Sequence, residues 1–214
     1  MGTSLNNKHE RKFRGKKSRV YRTRLIVTAV VILLVASLVT VYVLKPGNQN
    51  AIDSNRVLIV TTMGDITIQL YDDMPITTAN FKNLTRLGIY DGTVFHRVVK
   101  GFVIQGGDPN GTGLGDPSIS SIPDEFKETH KNYRGTVAMA NEGQQYPNSG
   151  SSQFFINLND TNSETLDNNY AVFGQVIAGM DVVDAIGSVP TSKDQYDNDR
   201  PVNPVVLTGA SVVS

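Results

Sequence analysis

Apolar positions along this chain follow two patterns. From Leu25 to Leu44 they run on as LIVTAVVILLVASLVTVYVL, twenty residues with no charge, proline or glycine. From Val57 onward they come in bursts of four to nine residues, rich in Val, Ile, Thr and Phe and bounded by Gly, Pro, Asn and Asp. The first pattern predicts one membrane-spanning helix over 25–44. At about 1.5 Å of rise per residue, such a helix matches a hydrocarbon core of roughly 30 Å. A core helix of a globular domain would carry a polar stripe, and this run has none. A cleaved signal peptide would have a shorter apolar stretch ending small-x-small, whereas this run leaves through Val43-Leu44-Lys45-Pro46-Gly47.

The second pattern predicts a mainly β domain. Val57–Thr61 and Ile66–Leu70, joined at Met63-Gly64-Asp65, read as a hairpin. Further strands are expected at Thr93–Val99, Phe102–Gln105, Thr136–Ala140, Phe154–Leu158, Val172–Ile177 and Val205–Val213. Two helices interrupt them. Pro75–Leu87 starts after Asp72 and Asp73, stops at Gly88 and carries an apolar stripe of Ile76, Asn80, Phe81, Leu84 and Leu87. Met180–Ile186 lies between Gly179 and Gly187. Many short strands with two helices point to a closed barrel or a sandwich, the helices plugging the ends of a barrel.

Charge divides the chain in the same place. Residues 1–24 hold nine Lys or Arg against one acid, and everything after residue 44 holds eleven basic against nineteen acidic side chains. The net charge of zero therefore joins a cationic tail to an acidic body. Beside an apolar span the basic tail is a topology signal, with the amino terminus cytoplasmic and the body outside the membrane. It is not read as a nucleic-acid arm. The expected organisation is a basic tail over 1–24, the transmembrane helix over 25–44, a polar linker over 45–56 and one domain over 57–214. The chain contains no cysteine, which excludes disulfides, a thiol nucleophile and a Cys-zinc site.

The familiar catalytic sets are missing. His9, His96 and His130 lack metal-ligand spacing, and Ser149-Gly150-Ser151-Ser152 lacks the strand-to-helix context of a nucleophile elbow. Gly111-Thr-Gly113-Leu-Gly115 looks like a phosphate loop but has no basic residue and opens no helix, so it reads as a folded surface loop. What remains is FHRVVKGFVIQGGD (Phe95–Asp108), Met139-Ala140-Asn141-Glu142 and Ser151-Ser152-Gln153-Phe154-Phe155-Ile156-Asn157. Each sets amide or guanidinium groups among apolar ones, the makings of a dry peptide groove edged by hydrogen-bond donors. Strand alternation puts Phe102 and Ile104 on one face and Val103 and Gln105 on the other. Arg97 is a permanent cation inside an apolar run and needs a reason.

From Val57 to the carboxyl terminus the order and spacing of these segments resemble the cyclophilins, peptidyl-prolyl cis–trans isomerases. Pro75-Ile-Thr-Thr-Ala-Asn-Phe81 and Tyr170-Ala-Val-Phe-Gly174 belong to the resemblance too. It implies a closed eight-stranded antiparallel barrel capped by two α-helices, acting on proline-containing polypeptides without a cofactor. It implies that Arg97 is catalytic and that Phe102, Val103, Phe155, Leu166 and Tyr170 line a proline pocket. Gln105 and the backbone of Asn141 would hold the peptide, with Ala140 and Gln153 completing the groove. Val103 stands where members commonly have methionine, Tyr170 where many have histidine, and Glu142 where a small residue is usual. Thr165 replaces the tryptophan linked to cyclosporin binding, so isomerase activity is implied and cyclosporin binding is not. The expected protein is a single-pass membrane isomerase assisting the folding of exported proteins. The rival is a proline-peptide binding module or holdase, for which Arg97 would be superfluous.

Overall fold

The computed structural model describes residues 54–193 and 199–214. The expected basic tail, the transmembrane span and nearly all of the linker lie outside the described residues. Ala51–Ser214 form one compact unit. Its eight strands are β1 (Arg56–Thr61), β2 (Gly64–Leu70), β3 (Arg97–Val99), β4 (Val103–Gly106), β5 (Thr136–Met139), β6 (Phe154–Asn157), β7 (Val172–Ala178) and β8 (Leu207–Val213). They make one antiparallel sheet in the order β3-β4-β6-β5-β7-β2-β1-β8. Helices α1 (Pro75–Arg86), α2 (Ser163–Leu166) and α3 (Met180–Ile186) complete it, α2 continuing a 3₁₀ turn at Asp160–Asn162.

The closed barrel expected from the sequence is corrected to an incomplete one. No ladder joins β3 to β8. The seam holds the isolated Val94–Val206 bridge and the bonds Phe95 N–H to Val205 C=O at 3.0 Å and Leu207 N–H to Thr93 C=O at 2.8 Å. Two local causes limit the pairing. Pro201 and Pro204, just before β8, have no N–H to donate. On β8 itself the Ala210 N–H is taken by the Asp91 carboxylate at 2.8 Å. The strand expected over Thr93–Val99 accordingly shrinks to Arg97–Val99.

Helix α1 forms where expected, but its supports differ. Neither Asp72 nor Asp73 caps it. Glu125, from a distant loop, accepts the Ile76 and Thr77 N–H groups at 3.3 and 2.9 Å and the Thr77 hydroxyl at 3.0 Å. Ile76 and Leu87 are exposed, and the buried residues are Thr77, Thr78, Phe81, Lys82, Leu84 and Thr85. The threonines pack there because their hydroxyls are satisfied locally: Thr85 donates to Phe81 C=O at 2.8 Å and Thr78 to Tyr71 C=O at 3.0 Å. Helix α3 begins at Gly179 with φ +87°, where a Cβ would lie 2.2 Å from the Asp65 carbonyl, so no side chain fits.

The sheet is apolar on both faces. One face carries the main core, where Phe81 sits among Tyr90, Phe154 and Phe173 with ring centroids 5.0, 5.3 and 5.0 Å away. Ile104, Val137 and Ile156 join it from β4, β5 and β6. The residues between them, Val103, Ala138 and Phe155, build a second, smaller cluster with Ala140, Leu166 and Val172. Two-sided burial explains why β4, β5 and β6 read as nearly continuous apolar runs, whereas β1 and β2 alternate buried with partly buried positions.

Candidate active site

The second face presents a row of side chains running across the strands. Arg97 on β3 is paired with Gln105 on β4, Gln105 with Phe155 on β6, Phe155 with Ala138 on β5, and Ala138 with Val172 on β7. Directly paired residues share a face, so the cation, the amide and the aromatic ring stand side by side. Three sequence segments that are remote along the chain thus meet at one place because of sheet register.

Around this row the expected pocket assembles. Val103, Phe155 and Leu166 are buried in one cluster, with Phe102 and Tyr170 packed against it. Tyr170 meets Phe155 edge-on, with centroids 5.3 Å apart at 84°. Leu166 comes from the end of α2, a helical turn absent from the sequence reading. Phe102 is on the pocket side with Val103, contrary to the alternation argument. It sits in the turn before β4, its N–H bonded to Val99 C=O at 2.9 Å, so strand parity does not govern it.

Polar groups edge the apolar floor. The Gln105 amide donates to Gln153 Oε1 at 3.0 Å, and Gln153 Nε2 donates to Gly113 C=O at 3.1 Å. Ala140 N–H donates to Gln153 C=O at 2.9 Å, which ties the Ala140–Asn141 segment to β6. Asn141 is braced by its side chain, Nδ2 donating to Asn169 C=O at 2.8 Å and Oδ1 accepting from Gly143 N–H at 2.9 Å. Among the described residues the backbone N–H and C=O of Asn141 have no partner, leaving both for a peptide. The Arg97 side chain is 42% exposed, and its Nε lies 4.0 Å from Asp199 Oδ2. Asp199, Ala138 and Val172 were not singled out in the sequence. Ala138 could have been, since it lies two residues before Ala140 on the same strand face.

His96 is not among the pocket-lining residues and stands beside Gln153. It is buried, and burial first of all lowers its pKa; Asp108 and a hydrogen bond donated by the ring to the Gln153 side chain oppose this, while Arg200 and Arg97 reinforce it. Its Nδ1 has no partner. The loop Pro109–Gly115 is held from inside. The buried Asp108 carboxylate accepts the N–H groups of Asn110, Thr112 and Gly113 at 3.0, 2.9 and 2.7 Å, that of Gly115 at 3.4 Å, and the Thr112 hydroxyl at 3.1 Å. Burial alone would raise the Asp108 pKa, but these donors outweigh it and hold the carboxyl below its usual range. The donors that a phosphate would need are therefore already used. Gly107, at φ +83°, lets the chain turn into this loop where a Cβ would lie 2.7 Å from Ser152 C=O.

Comparison with known proteins shows the family. The family model described as cyclophilin type peptidyl-prolyl cis-trans isomerase/CLD matches residues 56–212. Peptidyl-prolyl cis-trans isomerase-like 1 of Neurospora crassa is 45% identical over 161 residues, covering 73% of this chain and 93% of that protein. Peptidyl-prolyl cis-trans isomerase CYP18-2 of Arabidopsis thaliana is 42% identical over 162 residues, covering 74% and 93%. Among solved structures, the cyclophilin type isomerase of Cryptosporidium parvum, crystallised in the presence of the dipeptide Ala-Pro, superposes with a TM-score of 0.68 at 32% identity. It covers 74% of this chain and 99% of its own. The chain belongs to the cyclophilin-type peptidyl-prolyl cis–trans isomerases, and its activity is rotation about X–Pro peptide bonds.

Proposed function

We propose that Arg97 is the catalytic group of this isomerase and that the row Arg97–Gln105–Phe155 is its substrate track. Rotation about an X–Pro bond is slow because amide resonance sets a barrier of about 18–20 kcal/mol. No bond is made or broken, so stabilising the twisted amide over both planar forms is sufficient catalysis. In the twisted state the prolyl nitrogen regains a lone pair, and a guanidinium, protonated at every working pH, donates to it. Phe102, Val103, Phe155, Leu166 and Tyr170 enclose the proline ring. Gln105 and the Asn141 backbone hold the peptide, and Ala140 and Gln153 complete the groove.

The observation that carries this reading is the register that sets Arg97 directly opposite Gln105 and Gln105 directly opposite Phe155. Two interstrand spacings, roughly 10 Å, separate the first from the last, the length of about three extended residues. Arg97→Ala removes one preorganised donor and is expected to lower kcat/KM on an X–Pro peptide by about 10²–10³-fold, with peptide affinity kept. Equal activity of the full chain and this variant in a coupled cis–trans assay overturns the assignment.

The finer setting is also a proposal. The apolar run 25–44 anchors the chain in a membrane, the nine basic residues before it keep the amino terminus cytoplasmic, and the isomerase domain acts outside on exported or membrane-proximal chains. The uninterrupted twenty-residue run and its one-sided charge support this.

A further inference from the structure

Behind the proline pocket lies a file of buried amides that the isomerisation chemistry itself does not use. Asn162, Asn157 and Asn132 are 3%, 0% and 0% exposed. They bond head to tail. Asn162 Nδ2 donates to Asn157 Oδ1 at 2.8 Å, Asn157 Nδ2 to Asn132 Oδ1 at 3.1 Å, and Asn132 Nδ2 to the Asp167 carboxylate at 3.1 Å. Asn132 N–H donates to the same Asp167 oxygen at 2.8 Å, and Lys131 Nζ lies 3.4 Å from the other. Every amide points the same way and the file ends on a negative charge, the arrangement in which successive hydrogen bonds polarise and strengthen one another.

The two ends of the file belong to different walls of the pocket. At one end Asn162 Nδ2 also donates to the Phe102 carbonyl at 2.7 Å, beside the Leu158 N–H bond to the same oxygen at 2.8 Å. At the other end Asp167 directly follows Leu166. Asn157, in the middle, is two residues along β6 from Phe155 and is paired with Val103 across the ladder. Phe102 sits in a turn and Leu166 at the end of a four-residue helix, so neither is placed by sheet register.

We propose that the Asn162–Asn157–Asn132–Asp167 file is a positioning device that sets the separation of Phe102 from Leu166, and so the fit of the proline ring. This rests on the assignment of those two side chains to the proline pocket. Arg97 and Gln105 ride on ladder-paired strands and keep their places when the file is cut. The loss therefore falls on substrate binding and not on turnover.

The test is steady-state isomerisation of an X–Pro peptide by the full chain and three variants. Asn157→Leu, close in volume, breaks the middle of the file. Asn162→Ala frees the Phe102 carbonyl from one donor. Thr136→Val removes the Thr136 hydroxyl, which accepts from Asn157 at 3.0 Å but lies off the file, and serves as the control. Cutting the file is expected to raise KM about fivefold with kcat within about twofold, roughly the net worth of one neutral hydrogen bond. The control is expected to lower the melting temperature and leave KM unchanged. A merely structural role would reduce the active fraction, and so the apparent kcat, at constant KM. If Asn157→Leu fails to fold, Asn162→Ala decides alone. An unchanged KM in the file variants, or the same rise in Thr136→Val, overturns the proposal. Failure of the parent assignment shows separately, as an Arg97→Ala enzyme of normal activity.

Discussion

Among the described residues two buried side-chain polar atoms lack a partner, His96 Nδ1 and Ser152 Oγ, and both flank segments of the groove. The histidine has a measurable consequence. Its folded pKa is lowered from the usual 6.5, chiefly by burial. Above that value the ring is neutral in both states and contributes no slope. Below it the unfolded chain takes up the proton first, so stability falls as pH drops from about 6.5 toward the folded pKa. Denaturant titrations of the full chain at pH 7 and pH 5 should show a larger loss for the native protein than for His96→Gln. Identical losses would show that the ring is not held neutral. Asp108 has the same sign in a lower window: its lowered pKa stabilises the fold at all pH values above the usual carboxylate range, and that contribution is lost only on acidification through and below it. The two groups therefore act in separate pH windows, and the difference between pH 7 and 5 isolates the imidazole.

At the scale of elements, the clearest case is the start of α1. No side chain of its own first turn caps the helix; Glu125 does so across 48 residues of chain with two N–H groups and a hydroxyl. Glu125→Ala should cost about 0.5–2 kcal/mol, the usual worth of a cap, read as a lower denaturation midpoint with unchanged denaturant dependence. No change in midpoint would remove Glu125 from the account. The same helix marks where sequence reading stops. Apolar period and Pro75 locate it to within a residue, but Thr77 and Thr78 on the buried face and the remote cap depend on tertiary partners that no local pattern encodes. The strands show a similar division. The strands with neighbours on both sides, β1, β2 and β4 to β7, lie within a few residues of their expected bounds, and in β4, β5 and β6 two-sided burial leaves a nearly unbroken apolar run. β3 shrinks, since its far neighbour is the proline-interrupted approach to β8. Phe102 was assigned to the wrong face because parity was applied one residue beyond the strand. The groove residues themselves were legible as segments, and what was not legible was the register that brings Arg97, Gln105 and Phe155 into one row.

At the scale of the whole molecule, the sheet is used twice, once to enclose the aromatic core and once to carry the second apolar cluster, the floor of the proposed peptide groove. That doubling lets a domain of modest size carry the proposed binding track without opening its core. The charge balance adds a second division. The body after residue 44 carries nineteen acidic against eleven basic side chains, while the first twenty-four residues carry nine basic and one acidic. An anionic leaflet attracts the tail at about 1 kcal/mol per basic residue near its surface and repels the body. With the proposed span between them, the chain has one favoured orientation. Protease added to intact cells should therefore remove the isomerase domain and leave a short protected fragment, and sealed right-side-out vesicles should isomerise an added X–Pro peptide without being lysed. Replacing the nine Lys and Arg of residues 1–24 by Gln should send a fraction of molecules in the reverse orientation, seen as domains that resist the protease until the membrane is breached. Full resistance in the unmodified chain would mean that the groove faces the cytoplasm, and release of the protein by alkaline carbonate would mean that residues 25–44 do not span the bilayer.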